Sequence, residues 1–203
     1  MKTKRANDTK QAILDAAVKL VEEKGYAETS ILDICKECGI TKPTFYYYYK
    51  SKEDIFENFD FHYLPLSGYS ATPQILRAEN AWQQLWIMSK NAVDQFTLVY
   101  GKPVLLAAMA AGICKGKNPF MSVPDDVMDT IVPFVERAQR EGIIRSRKGA
   151  RELMERSNLV FVGTIYMWVT NELKGDIYQE IYDSMRIILD IDPKYDFPIE
   201  MYK

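Results

Sequence analysis

Apolar residues recur at helical spacing along almost the whole chain, and no segment alternates with the period of two that a half-buried strand requires. An all-α fold is the expectation. The first stripe is Ile13, Ala16, Ala17, Leu20 and Val21, with Gly25 placed to end that helix in the left-handed conformation. Ser30, followed three residues later by Asp33, opens a second helix whose Ile31, Ile34, Cys35 and Cys38 face one way. Gly39 breaks it and Ile40 plugs the turn. Thr41 caps a third helix, with Pro43 in its first turn, where the missing N–H costs nothing. Ser51 caps a fourth, running through Glu53, Ile55, Phe56 and Phe59 to about His62.

Pro65, Gly68 and Pro73 mark a loop over 64–73. Beyond it the spacing predicts long helices over 74–100, 102–115, 124–141, 150–173 and 176–190, the third kinked at Pro133. Pro193 and Pro198 punctuate a tail. The expected architecture is a compact three-helix head over 1–52 and a helical body over 53–203.

Composition places the chain among ordinary soluble globular proteins, with 47% hydrophobic and 27% charged residues. Its net charge of −2 hides an asymmetry: residues 1–52 hold ten Lys/Arg against seven Asp/Glu, and the remainder sixteen against twenty-one. The basic excess, with Lys2, Lys4 and Arg5 as a short arm, suits either a polyanionic partner or a merely solvated tail. No apolar run follows the basic start as a signal peptide would need. The most apolar stretch, Leu159 to Val169, is 11 residues long, short of the roughly 20 that span a bilayer. Three cysteines make no disulfide framework, and a cytoplasmic protein without a membrane partner is expected.

Two short helices joined by a glycine-containing turn fit the helix-turn-helix, whose second member enters the major groove. That member would be Thr41–Lys50, with Phe45 and Tyr49 turned to the core. Lys42, Thr44, Tyr46, Tyr47 and Tyr48 are then left for solvent or a partner. Lysine, threonine and tyrosine suit phosphate contacts, and Lys42, Thr44 and Tyr47 suit base edges as well. A small helical packing module with an aromatic surface satisfies the same spacing.

From Thr9 to Ile55 the sequence resembles the DNA-binding head of the TetR (tetracycline-repressor) family. The matching positions are Thr9, Ile13, Ala16, Ala17 and Leu20, then Gly25-Tyr26, Thr29-Ser30-Ile31 and Ile34. They continue through Gly39-Ile40-Thr41-Lys42, the aromatic Tyr46, Tyr48 and Tyr49, and Lys52-Glu53. The resemblance implies phosphate contacts from Thr29 and Ser30. It implies base contacts from Lys42, Pro43, Thr44 and Tyr47, backbone contacts from Tyr46 and Tyr48, and a further phosphate contact from Lys52. Thr41 belongs to the same reading surface. Pro43 and Phe45 stand where the family often has a small residue and leucine, which bears on operator sequence.

Cys35-Lys-Glu-Cys38 has the spacing of a redox or metal site, but zinc needs four ligands and the lone His62 offers no cluster. Core filling is the plainer reading, and a thiol switch the alternative. No paired carboxylates, glycine-rich phosphate loop or nucleophile–base pair supports an enzyme, and no cofactor is expected.

The family resemblance implies a small-molecule effector in the body. Trp82, Trp86, Phe96, Tyr100, Met109 and Phe134 are candidate lining residues, with Met88 and Phe120 among the same aromatic and methionine set. A helix apolar all round, as over 159–169, must be buried all round. Val160, Gly163, Thr164, Met167 and Trp168, with Ile181, Met185 and Ile188 on the next helix, resemble the family's four-helix dimer interface. The expectation is a homodimeric regulator, a repressor, that binds a palindromic double-stranded operator and is released by an effector. The alternative is a ligand-independent DNA-binding or protein-interaction dimer on the same scaffold.

Overall fold

A computed structural model describes residues 2–57, 72–116 and 123–202, with side chains from Asp8 onward except those of Val99 and Tyr100. The expectations for Phe59, His62, the loop over 64–71 and Phe120 lie outside the described residues. Helices make up nearly all regular structure among the described residues, with an isolated bridge between Ile144 and Ile191.

The chain divides into two compact units. The first holds α1 (Lys2–Lys24), α2 (Ile31–Cys38), α3 (Lys42–Tyr48), α4 (Lys52–Glu57) and α7 (Gly101–Cys114). Here α1 begins at Lys2, so the basic residues expected to form an arm continue the helix. No proline or glycine interrupts the run before Gly25, which takes φ 85° and donates its N–H to the Val21 carbonyl at 2.9 Å. Ile13, Ala17 and Val21 meet Ile34, Cys35, Phe45, Tyr49, Ile55 and Phe56 in one core. Ala107 and Ala111 of α7 belong to that core too. The head therefore extends past the expected boundary at residue 52: α4 packs on α7, and α7 on α1. Helix α7 can lie that close because alanines line its buried side.

The second unit holds α5 (Pro73–Arg77), α6 (Ala81–Asp94), α8 (Asp125–Arg140), α9 (Ala150–Val169) and α10 (Ile177–Leu189). The single helix expected over 74–100 is in three pieces. Asn80 caps α6 by accepting the Gln83 N–H at 3.0 Å, and Glu79 donates its N–H to Gln83 Oε1 at 2.7 Å. These side chains satisfy backbone groups that a continuous helix would have used, which ends α5 and restarts the helix. From Gln95 to Tyr100 the chain is π-helical. Pro133 lies on the exposed side of α8, which continues through it.

Helix α9 packs against α10 and α8, and α6 against α8 and α10. Their core is aromatic: Tyr182 packs against Trp82 with tilted rings at 5.3 Å and against Trp86 edge to face at 5.1 Å. The tail is ordered onto this core. Tyr182 donates its hydroxyl to the Phe197 carbonyl at 3.2 Å, Phe197 packs on Trp82, and Arg186 pairs with Asp196.

Candidate nucleic-acid interface

Helix α2 begins with a complete capping box. The Asp33 N–H donates to Ser30 Oγ at 3.2 Å, and Asp33 Oδ2 accepts the Ser30 N–H at 3.0 Å. Asp33 Oδ2 also takes Lys24 Nζ at 2.9 Å. The Ser30 hydroxyl and then Lys24 hold the Asp33 carboxyl well below the usual carboxylate range. The helix ends at Gly39 with φ 66°, and the Ile40 N–H returns to the Cys35 carbonyl at 2.9 Å. That turn needs a left-handed residue, and glycine adopts it without the Cβ penalty. Thr41 then caps α3, its hydroxyl accepting from Thr44 N–H at 3.4 Å and lying 2.9 Å from the Thr44 hydroxyl.

Phe45 and Tyr49 anchor this short helix in the core of the head. Since α3 turns once every 3.6 residues, burying 45 and 49 turns 43, 46 and 47 away from the core, while Lys42 is exposed at the first position of the helix. Lys42 and Pro43 are exposed, Tyr46 is 53% exposed and Tyr47 80%. Thr44 and Tyr48 are half-buried at the margins, and the Tyr48 ring meets that of Tyr47 edge to face at 5.0 Å. Elsewhere in the head, Lys19 pairs with Glu37 at 2.6 Å and Lys24 with Asp33. Lys42 forms no ion pair among the described residues. The face is therefore basic, aromatic and outward.

Two of the expected contact residues have partners within the head. Thr29 is buried and donates its hydroxyl to the Gly25 carbonyl at 2.8 Å, so its side chain is committed to the turn before α2. Lys52 directs its ammonium to the carbonyls of Tyr26 at 2.6 Å and Thr29 at 2.8 Å. Ser30 is exposed but already engaged with Asp33. The Cys35 and Cys38 thiols are pushed up, chiefly by burial, and Cys38 Sγ points at the Ala12 carbonyl at 3.4 Å. Cys35 is buried in the core of the head, and the half-buried Cys38 packs against it. No group of side chains suited to a metal ion occurs among the described residues.

Residues 13–59 match the family described as bacterial regulatory proteins, tetR family. The head is thus similar in sequence to the DNA-binding heads of that family. The regulator EthR of Mycolicibacterium smegmatis is 47% identical over 49 residues, which are 24% of this chain and 23% of EthR. AcrR of Shigella flexneri is 41% identical over 56 residues, 27% of this chain and 26% of AcrR. The matched segment thus spans only about a quarter of either relative. Over the whole fold, the TetR-family repressor FadR of Thermus thermophilus, solved with lauroyl-CoA, superposes with a TM-score of 0.60. That superposition covers 93% of this chain and 98% of FadR at 17% identity, so it speaks for a shared TetR-family fold alone.

Four of the candidate effector residues lie in the second unit. Trp82 and Trp86 are core residues against Tyr182, Phe96 is buried edge to face against Phe161 at 5.6 Å, and Phe134 is half-buried beneath the Arg137 guanidinium. Met109 and Tyr100 fall in the other compact unit, and the Tyr100 side chain is outside the described residues. A cleft of about 580 Å³ between the end of α8 and the start of α9 is lined instead by Glu136, Gln139, Arg145, Ser146, Arg147 and Lys148, among others.

The candidate dimer residues divide as well. Val160, Gly163 and Met167 lie on the exposed side of α9, with Trp168 and Ile188 half-buried. Thr164, Ile181 and Met185 are buried within the single chain, where Ile181 and Met185 form the inner face of α10. Sequence reasoning passed over Leu159, Tyr166 and the 79% exposed Ile187, which share the outward side. The α10 stripe was legible, but whether it faces the chain's own core or a second copy was not.

Proposed function

We propose that the protein is a DNA-binding transcription regulator that reads a palindromic operator as a homodimer. The carrying observation is the outward face of α3, where Lys42, Pro43, Tyr46 and Tyr47 stand clear of a helix anchored by Phe45 and Tyr49. Lys42 and the tyrosine hydroxyls supply donors for phosphates and base edges, and Thr44 and Pro43 supply apolar contact for a thymine methyl. Thr41 and Ser30, exposed at the two caps, lie on the same reading surface, with Tyr48 at its edge.

Pairing is favoured by the apolar residues on the outer side of α9 and α10. Leu159, Val160, Tyr166, Met167 and Ile187 together exceed what scattered surface apolar residues require. Gly163 has open space where a side chain would stand, which permits a second helix to approach closely. A two-fold pair would present two reading helices to two half-sites. Repression relieved by a small effector bound in the body is the regulatory form proposed, acting in the cytoplasm with the chromosome. The packing of Trp82 and Trp86 as core favours a second reading, in which the body only dimerises.

Selection from a pool of random duplexes tests the main reading. A recovered palindrome whose binding weakens with salt is expected, and recovery of no preferred sequence would remove it. A metabolite screen by tryptophan fluorescence then separates the two readings: a compound that releases the duplex establishes the effector.

A further inference from the structure

The turn joining α1 to α2 is held at several points by the start of α4. Lys52 Nζ lies 2.6 Å from the Tyr26 carbonyl, 2.8 Å from the Thr29 carbonyl and 4.1 Å from the centre of the Tyr26 ring. Two of the ammonium's three donors are thus committed to carbonyls, and the charge also rests on an aromatic face. The next residue, Glu53, accepts the Tyr26 hydroxyl at 3.0 Å. One turn on, the Phe56 ring meets that of Tyr26 edge to face at 5.6 Å. Successive residues of α4 therefore hold Tyr26 by its carbonyl, its ring and its hydroxyl. Thr29, the other residue gripped, immediately precedes the Ser30 cap of α2.

We propose that Lys52 is a positioning residue for DNA recognition: with Tyr26 and Glu53 it clamps the N-terminus of α2 to α4, and it is not a phosphate ligand. The proposal rests on the DNA-binding reading above. Its physical content is that the start of α4 fixes the carbonyls of Tyr26 and Thr29, and with them the Ser30 cap from which α2 departs. Tyr26 is suited to its part. Burial, and then Glu53, push its hydroxyl pKa up, so that it remains a donor throughout the working pH range.

The test compares the full-length protein with Lys52→Met, which keeps the apolar stem and removes the charge, and with Tyr26→Phe, which removes only the hydroxyl. Binding to the duplex selected by the unaltered protein is measured across a potassium chloride series. A positioning role predicts that Lys52→Met weakens binding about tenfold at every salt concentration, with the slope of log K against log salt unchanged. Tyr26→Phe, which alters no charge, should weaken binding in the same direction. A slope reduced by about one after Lys52→Met overturns the proposal, because that is the mark of a lost phosphate contact. Unchanged affinity in both variants overturns it too.

Hydrogen exchange without DNA supplies an independent arm. The amides of Asp33 and Ile34 should exchange about tenfold faster in Lys52→Met while those in the middle of α1 hold their rates. Should the unaltered protein select no duplex, the functional reading fails. The clamp is then judged by exchange, and unaltered protection at Asp33 and Ile34 overturns it.

Discussion

The head and the body use aromatic side chains in opposite ways. In the head, Tyr46 and Tyr47 stand in solvent on a helix of seven residues, while Phe45 and Tyr49 are its buried anchors. In the body, Trp82, Trp86 and Tyr182 are packed on one another inside helices of thirteen and fourteen residues. A short helix has few side chains with which to bury a face, so its stability depends on caps and one or two anchors. The arrangement frees the rest of its surface. The body's longer helices bury whole stripes, and much of the apolar surface they leave exposed lies on the outer side of α9 and α10. The proposed recognition and the proposed pairing would therefore use separate surfaces.

The sharpest way to break that comparison is to remove an anchor. Phe45→Ala should cost about 3–5 kcal/mol in denaturant unfolding of the head, the range for deleting a fully buried aromatic ring. Tyr47→Ala should leave stability within about 0.5 kcal/mol and still weaken duplex binding by about 1–3 kcal/mol. A loss of stability in that variant would mean the ring is structural.

In the body, Ile187→Asp should leave the chain folded and shift it from dimer to monomer in sedimentation. Met185→Asp, two residues earlier on the buried side, should instead unfold it, since an unpaired charge cannot be placed in that core. A dimer that survives Ile187→Asp would place the pairing surface elsewhere. Smaller still is the capping contribution: Ser30→Ala should lower the stability of the head by about 1 kcal/mol.

The least effect is expected from pH. Asp33 is depressed in the folded protein, so its contribution is present above its ordinary value of 3.8 and is lost as pH falls toward the lower folded value. Replacing Asp33 by Asn should flatten the acid limb of the head's stability curve slightly, and an unchanged limb would show the carboxylate to be uncoupled from folding.

Much of the head could be read before its structure was known. Gly25, Ser30, Gly39 and Thr41 act locally, through left-handed φ or a side-chain cap, so their roles follow from a few neighbouring residues. Phe45 and Tyr49 were legible because four residues are about one helical turn. Lys52 was read from resemblance as a phosphate contact, whereas its partners Tyr26 and Thr29 stand more than twenty residues away, and only folding brings them together. The break between α5 and α6 escaped notice because the apolar spacing runs through it. What divides the helix is the competition of Asn80 and Gln83 side chains for backbone groups.

The sequence by itself determined the helical class, the caps, the anchored third helix and the outward tyrosines, because each depends on interactions within a turn or two of chain. Tertiary structure alone decided that α7 joins the head through Ala107 and Ala111, that Thr29 is buried, and that Ile181 and Met185 belong to the core. An apolar stripe specifies that a face must be covered, and the covering partner is set by packing between elements distant in the chain.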